Sequence, residues 1–322
     1  MSDAPFTLDE YDRKLLYLLD RDSGLGLNKL AKSIKRSKQF TLFRLKRFES
    51  EGVITHYTAI VDMVKLGFFS FRIYVRFQHT TREELNKIAE ELKKEENIWT
   101  ITIMHGKWDL AIFLGAKRIE EIHTIWDAFK LRHQKNIEAY NFSLYAPIYN
   151  FNRTFFTQGN QEKITRVYGE SKPEEIDGAD WKIIREYAPN VRRSTLQMSK
   201  ILRMSPETVG RRIRKLEKKK IICGYKLGLD IHKLGYVSYR VDLELSSTHR
   251  NAELFEYCRM HKNIYQVQKT IGGADFEIEV IVRDLGELLA IIEDIKTRFK
   301  GIVKNAAYFS YSTYSLLNYV PD

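Results

Sequence analysis

The residues SPETVGRRIRKLEKKKIICGY, from Ser205 to Tyr225, have a counterpart earlier in the chain in SKQFTLFRLKRFESEGVITHY, from Ser37 to Tyr57. Both stretches open with a serine, which can cap the N-terminus of a helix. Apolar residues then recur on one side of that helix and basic residues on the other, and a short extended segment follows. This layout is typical of the recognition helix of a helix-turn-helix.

Two further helices are predicted before the first of these stretches. Residues 8–19 carry an apolar stripe at helical spacing, and Thr7 or Asp9 can cap that helix. A turn follows, then a short second helix over 27–34, and the third helix ends at Gly52. Three helices within about 45 residues, with a tight turn between the second and third, predict a helix-turn-helix.

The composition favours a globular protein with an anionic partner. The 322 residues, 43% of them hydrophobic, allow about two to four domains with sizeable cores. The net charge of +11 favours a nucleic acid or a membrane surface, although it can also serve solubility alone. The first residues do not read as a signal peptide, and the most apolar run, residues 66–77, is too short and too charged to span a bilayer. We therefore expect a soluble, cytoplasmic protein without a membrane partner.

The residue types that carry catalysis or bind metals are scattered. Cys223 and Cys258 cannot form a zinc site by themselves and fit small core residues in a reducing compartment. His105, His123 and His133 lack the spacing of a metal-binding helix. The sequence contains no phosphate-binding glycine loop and no nucleophile elbow. We expect no metal, no cofactor and no catalytic residues.

A pattern of strands and helices follows the first helix-turn-helix. Strands are predicted over 68–77, 98–104, 110–114 and 137–145, and helices over 81–94 and 119–129. The order βαββαβ is that of a ferredoxin-like domain, an antiparallel sheet with two helices on one face. The other face of such a sheet must be covered, and we expect it to pair with a second sheet of the same kind.

The whole pattern restarts at Ile176. Matching residues stand 168 positions apart, as Ser37 and Ser205 do, and 166 apart after a two-residue deletion near Ser246. So long a constant register predicts a tandem duplication. The predicted fold class is α+β, with two winged helix-turn-helix domains alternating with two ferredoxin-like βαββαβ domains. The predicted domains are helix-turn-helix domain 1 over 1–60, βαββαβ domain 1 over 61–148, a linker over 149–175 that packs in part on its neighbours, helix-turn-helix domain 2 over 176–228 and βαββαβ domain 2 over 229–322.

At this point the sequence resembles the Lrp/AsnC family of prokaryotic regulators. The resemblance is carried by LDEYDRKLL from Leu8, Leu30-Ala31, residues 44–54, Tyr57 and Leu66-Gly67, and again by IDGADWKII from Ile176, residues 205–222 and Leu234-Gly235. It implies a transcription factor that binds double-stranded DNA and whose sensing domains pair and bind small molecules, commonly amino acids. Members of this family usually carry one copy per chain, so the two copies here would form either an intrachain pseudo-dimer or a homo-oligomer.

Each copy offers residues that could contact DNA, through base edges at the start of the third helix and phosphates around it. In the first copy these are Ser37, Lys38, Gln39, Arg44, Lys46 and Arg47. In the second they are Arg203, Ser205, Pro206, Glu207, Thr208, Arg211, Arg212, Arg214 and Lys215. The alternative is a solvated basic face.

The first copy departs from the second on the reading face. It has Phe40, Leu42 and Phe43 where the second copy has a threonine, a glycine and Arg211. Apolar side chains cannot hydrogen-bond to base edges, though they can touch a thymine methyl group. Either this helix binds DNA mainly through the backbone, or its hydrophobic residues dock on protein. We therefore expect the second copy to be the stronger base reader.

The resemblance also includes a Gly-x-x-Asp turn in each βαββαβ unit, at Gly106 to Asp109 and at Gly272 to Asp275. These four residues are the candidates for effector binding, since glycine permits close approach and a carboxylate can accept bonds from an amino group. The alternative is structural, because glycine and aspartate both favour tight hairpin turns.

An enzyme on the same scaffold is the rival interpretation. Siroheme decarboxylases resemble the Lrp/AsnC family, and the segment Ile103-Met-His-Gly106 is faintly similar to them. The sequence, however, lacks a dense cluster of His, Tyr and Arg that would bind the carboxylates of a tetrapyrrole. We therefore favour a DNA-binding regulator that is not an enzyme.

Overall fold

The computed structural model describes residues 5–159, 161–316 and 320, which form a mixed α+β protein. The ends of the first and last predicted domains, residues 1–4, 317–319 and 321–322, lie outside the described residues. The helices are α1 (Glu10–Arg21), α2 (Leu27–Ile34), α3 (Lys38–Ser50), α4 (Arg82–Leu92), α5 (Ile119–His133), α6 (Gly178–Tyr187), α7 (Thr195–Leu202), α8 (Pro206–Lys218), α9 (Asn251–Met260) and α10 (Leu285–Arg298). The strands are β1 (Ile54–Val61), β2 (Phe69–Phe77), β3 (Ile98–His105), β4 (Leu110–Ala116), β5 (Ile137–Phe151), β6 (Thr165–Tyr168), β7 (Ile222–Leu229), β8 (Val237–Leu245), β9 (Ile264–Ile271), β10 (Phe276–Val282) and β11 (Val303–Leu316).

Helices α1 to α3 and strand β1 form a winged helix-turn-helix, and α6, α7, α8 and β7 follow one another in the same order. Polar side chains cap α1, α3 and α8 as the sequence predicts. Asp9 caps α1 by accepting the N–H of Asp12 at 2.8 Å. Ser37 and Ser205 cap α3 and α8 in the same way, each at 3.1 Å.

The two wing strands bring these parts together. Strands β1 and β7 pair antiparallel, with Thr58 opposite Lys226 near the middle of the ladder. The apolar residues beneath them belong to one continuous core, to which α3 contributes Phe48 and α8 contributes Leu216. The two recognition helices are therefore carried by one packed body.

Contacts between the two wings are reciprocal. The N–H of Asp62 donates to the carbonyl of Ile221 at 2.8 Å, and the N–H of Asp230 donates to the carbonyl of Val53 at 3.0 Å. Asp230 and Ile221 lie 168 residues after Asp62 and Val53, respectively. The same bond thus occurs twice with the two halves exchanged, as in an isologous interface with an approximate twofold axis.

The other strands form one sheet, in the order β2-β4-β3-β11-β8-β10-β9-β5-β6. Strand β2 also pairs with β5, so all of these strands except β6 close into a barrel. Within it, the first half runs β5-β2-β4-β3 and the second half runs β11-β8-β10-β9. Helices α4 and α5 cover one apolar core on the outside, and α9 and α10 cover another.

This closed sheet corrects the expectation of two separate sheets that pair through their faces. Each half leaves two edge strands, and β3 joins β11 while β5 joins β9. Edge-to-edge pairing satisfies the main-chain groups that an open edge would expose. Local sequence patterns predict strands but do not say which edges meet.

The segment predicted as a linker is packed into the body. Strand β5 runs through the predicted boundary at residue 148, and β6 pairs with it. Arg153, which is 6% exposed, bonds with its Nε to Asp20 of α1 at 3.0 Å and also binds the carbonyl of Leu227 in β7. Arg166 is also buried and bonds to the carbonyl of Arg21 at 2.9 Å. The segment therefore clamps the first helix-turn-helix to the second wing.

Candidate nucleic-acid interface

The face of α8 that points away from the core carries basic side chains. Val209, Ile213 and Leu216 are buried, so residues on the opposite side of the helix face solvent. Arg211 and Arg214 lie on that side and are exposed. Exposed guanidinium groups can contact guanine or phosphate. Among the other predicted contacts of this copy, Arg203, Ser205, Pro206, Glu207 and Lys215 are exposed, and Thr208 and Arg212 are half-buried.

Arg212 is bound within the protein. Its Nη1 lies 2.7 Å from Oδ1 of Asp180, which is fully buried, and 2.9 Å from Oδ2 of Asp177. Lys215 lies 3.0 Å from the other oxygen of Asp180. Bonds to Asp180 and then to Asp177 raise the pKa of Arg212. These pairs fasten α8 to the start of α6, and a phosphate contact by Arg212 stays a prediction.

Arg44 has the same arrangement in the first copy. It lies 2.9 Å from Asp12, which is 1% exposed, and 2.7 Å from Asp9. Arg47 lies 3.9 Å from Asp12 and places its guanidinium 4.4 Å from the ring centre of Phe6. At this matching position both copies therefore use an arginine, Arg44 or Arg212, to bind the first helix, which leaves other cations to face solvent.

The outward face of α3 is partly apolar. Lys38, Gln39 and Lys46 are exposed there, as a DNA-contacting surface requires. Phe43 is 65% exposed and Leu42 is 41% exposed. The sequence left open whether these two side chains pack or point outward, and the structure turns them outward.

A basic groove lies beside this face, at the turn between α2 and α3. It is shallow and open to solvent, has a volume of about 680 Å³ and is lined by Ala31, Lys32, Lys35, Arg36, Ser37 and Phe40. Lys35 has φ of +57°, and Arg203, its counterpart in the second copy, has φ of +53°. Both turns thus use the left-handed conformation on a basic residue, two positions before the serine that caps the recognition helix.

The ends of the two recognition helices have the same backbone shape. Gly52 has φ of +65° and Lys220, at the matching position, has φ of +58°. The sequence predicted either strain or a different shape at Lys220, and the structure shows the left-handed shape on a lysine. Such a residue costs about 1–2 kcal/mol relative to glycine.

The candidate effector glycines lie where the two halves of the barrel meet. A Cβ atom at Gly106 would come within 3.0 Å of Phe309 in β11, and one at Gly272 within 2.6 Å of the carbonyl of Phe142 in β5. Their φ angles of +131° and +84° also favour glycine. Both glycines therefore allow their turns to pack closely against a strand of the other half of the barrel.

The candidate effector aspartates accept main-chain bonds. Oδ2 of Asp109 accepts the N–H of Phe77 at 2.8 Å, and Oδ2 of Asp275 accepts the N–H of Leu245 at 2.7 Å. Each carboxylate thus ties its turn to the neighbouring strand, which supports the structural alternative. Binding of an effector amino group at these residues stays a prediction.

A buried polar network inside the barrel is not predicted by any local pattern. Ile73 and Val75 pack under the outer helices, so Arg72, which alternates with them, faces inward. Arg72 makes two bonds to Glu277, at 3.0 and 2.8 Å, and Arg240 binds the same carboxylate. The only sequence signal is that Arg72 and Arg240 interrupt apolar strands 168 residues apart.

Two other features bear on the class of protein. Among the described helices, none is long and apolar enough to cross a bilayer. Over the same part of the chain, His, Cys, Asp and Glu side chains form no group of three or more that could hold a metal ion.

Residues 8–55 match the family model of winged helix-turn-helix DNA-binding domains. An uncharacterized HTH-type transcriptional regulator of Pyrococcus horikoshii is 28% identical over 123 residues, which cover 38% of this chain and 81% of the regulator. The HTH-type transcriptional regulator FL11 of Pyrococcus abyssi is 26% identical over 121 residues, which cover 38% of this chain and 79% of FL11. The chain thus contains a winged helix-turn-helix and has transcriptional regulators among its relatives.

Among solved structures, the siroheme decarboxylase NirDL aligns over 97% of this chain and 94% of its own, with a TM-score of 0.65 and 15% identity. Its complex with an iron-uroporphyrin III analogue gives a TM-score of 0.63 at 14% identity. At this level of identity the likeness shows a shared fold and nothing more. Escherichia coli AsnC covers 46% of this chain at 21% identity, with a TM-score of 0.38.

Proposed function

We propose that this protein is a sequence-specific, DNA-binding transcriptional regulator of the Lrp/AsnC type and not an enzyme. The observation that carries the proposal is the exposed basic face of α8, with Arg211 and Arg214 outward on a helix that Ser205 caps. A second helix, α3, presents Lys38 and Lys46 in the same manner. Such faces match the major groove in shape and charge.

The reciprocal bonds between the wings support a tandem duplication that folds as an intrachain pseudo-dimer. The barrel repeats this relationship, since Leu144 pairs with Ile271 and Ser310 pairs with His105. The residues of the second pair are the counterparts of those of the first at an offset of 166. One chain would then present two recognition helices to a pseudo-palindromic site. Light scattering tests this arrangement, because a DNA-competent monomer supports it and an obligate oligomer contradicts it.

The test of DNA binding is selection of bound duplexes from a random pool, followed by gel shifts at several salt concentrations. We expect a selected sequence motif and an affinity that falls steeply as salt rises, because phosphate contacts release counterions. Absence of salt-dependent binding would contradict the function.

An amino-acid effector is part of this proposal. The turns at Gly106 and Gly272 lie at the two junctions of the barrel, where a ligand could change how the halves meet. Isothermal calorimetry against the proteinogenic amino acids tests it. A flat response to all of them would remove amino-acid sensing and leave the DNA-binding proposal standing.

A second candidate function is a siroheme decarboxylase-like activity on a tetrapyrrole. The observation in its favour is the fold shared with NirDL along almost the whole chain. A spectroscopic titration with siroheme separates the two candidates. A saturable change in the absorption spectrum, together with no salt-dependent DNA binding, would favour the enzyme.

A further inference from the structure

We propose that the two recognition helices read different halves of an asymmetric DNA site. Phe43 would contact thymine methyl groups in one half, and Arg211 would contact guanine in the other. The inference rests on the proposed DNA-binding function and adds which side chain selects which base.

Phe43 and Arg211 occupy equivalent places. Each lies six residues after its capping serine, and the two are 168 residues apart. On α3, Thr41, Leu45 and Phe48 are buried. At 3.6 residues per turn, this places Phe43 at the centre of the opposite face, and the buried residues of α8 place Arg211 likewise. The side chain best placed to enter a groove is therefore aromatic in one copy and cationic in the other.

The surroundings of Phe43 indicate a polyanionic partner. Its exposed neighbours along the helix face, three or four positions away, are Gln39 and Lys46, and the half-buried Arg47 lies at the same spacing; none of the three is acidic. The groove with Lys32, Lys35 and Arg36 lies beside them. A protein partner for an exposed phenylalanine would have to place its apolar surface among these cations. The major groove instead offers thymine methyl groups between two rows of phosphates.

The surroundings of Arg211 indicate different bases. Glu207 precedes it by four residues and Arg214 follows it by three, and both are exposed. Arginine can bond to guanine in a bidentate manner, and glutamate can accept a bond from cytosine. This combination favours G·C pairs under α8, whereas the apolar face of α3 favours A·T pairs.

The test uses the full chain and duplexes selected from a random pool, with affinities measured by fluorescence anisotropy at one stated salt concentration. Thymines in one half-site at a time are then replaced by deoxyuridine, which removes only the methyl group. We expect a loss of about fourfold in affinity for each contacted methyl, in one half-site only.

Variants connect this loss to one side chain. Phe43→Ala should bind thymine and deoxyuridine duplexes equally, and Phe43→Arg should select guanine in both halves. Leu131→Ala, at an exposed residue on α5, is the control that should retain the wild-type pattern.

Three outcomes would overturn the inference while leaving DNA binding intact. They are identical selected half-sites, indifference of the wild-type protein to deoxyuridine, and a Phe43→Ala variant that keeps the wild-type sensitivity. The last of these would show that a side chain other than Phe43 contacts the methyl groups. Failure of every duplex to bind would instead contradict the proposed function itself.

Discussion

Lys65 and Lys233 make equivalent hydrogen bonds, each to the end of the recognition helix in the other half of the molecule. Nζ of Lys65 donates to the carbonyl of Lys219, and Nζ of Lys233 donates to the carbonyl of Glu51, both at 2.6 Å. Lys219 and Glu51 are the C-cap residues of α8 and α3. Each ammonium group therefore stabilises the negative end of the recognition helix in the other half, and the two helices are held by one mutual arrangement.

Replacing these lysines should loosen that arrangement. We expect Lys65→Met to lower the free energy of unfolding by about 1 kcal/mol, because a charged donor to a helix end is lost. Lys233 is more exposed, so Lys233→Met should cost less. Urea denaturation midpoints measure both effects. Lys87→Met, at an exposed pair with Glu83, is the control, and a loss there as large as at Lys65 would contradict the assignment.

The end of α8 offers a substitution that should stabilise the protein. Lys220 holds φ of +58° in the place that glycine occupies after α3. We expect Lys220→Gly to raise the free energy of unfolding by about 1 kcal/mol and Gly52→Ala to lower it by a similar amount. Thermal or urea unfolding measures the pair. Changes of the same sign in both variants would show that the left-handed backbone is not the cause.

The carboxylate of Glu277 should be indispensable to the barrel. It is fully buried between Arg72 and Arg240. Glu277→Gln keeps the shape but removes the carboxylate that pairs with the buried Arg72 and leaves Arg240 only Asp242 and Glu279, so we expect a loss of about 3–5 kcal/mol. Glu138→Gln, in an exposed pair with Arg76, should change stability by less than about 1 kcal/mol. Similar losses in the two variants, measured by chemical denaturation, would refute this role.

His56 should make the protein sensitive to acid. Burial, and then the charges of Lys226 and Arg153, lower the pKa of His56 from 6.5 to about 4. The folded state therefore binds fewer protons than the unfolded state between these values. The contribution of the neutral His56 to stability is complete above about pH 6.5 and is lost as the pH falls toward 4.

We expect His56→Gln to reduce the loss of stability between pH 6.5 and 4 by roughly 2 kcal/mol, with partial exposure taken into account. The pKa of His261 is also lowered to about 4, mainly by burial, so the variant should keep the part of the acid-induced loss of stability that His261 causes. His123→Gln, at an exposed residue, is the control. Denaturation curves at several pH values decide the matter, and parallel profiles for wild type and His56→Gln would exclude the effect.

The two recognition helices should respond differently to alanine in DNA-binding assays. Arg211→Ala should lose sequence discrimination worth about 1–3 kcal/mol, because a bidentate contact to guanine disappears. Lys46→Ala should weaken binding to all sequences similarly and reduce the slope of affinity against salt by about one. Gel-shift competition between specific and random duplexes measures both. Equal effects of the two substitutions would remove the distinction.

The features that the sequence predicts well depend on residues a few positions apart. The serine caps, the three short helices of the first copy and the left-handed backbone at Gly52 all follow from local spacing. The sequence left open whether the ring of Phe43 packs or points outward, although its place opposite the buried face follows from helical periodicity. The roles of Arg44 and Arg212 do not, because both look like phosphate ligands until the carboxylates of the first helices are placed beside them.

By itself, the sequence determined the local elements, the constant offset between matching residues and the difference between Phe43 and Arg211. Only the tertiary structure decided that the half-sheets close into one barrel, that each wing supports the opposite recognition helix, and that Arg72 meets Glu277. The physical reason is that these contacts join residues far apart in the chain through edge pairing and burial. Which of several compatible edges and charges come together depends on how the whole molecule packs.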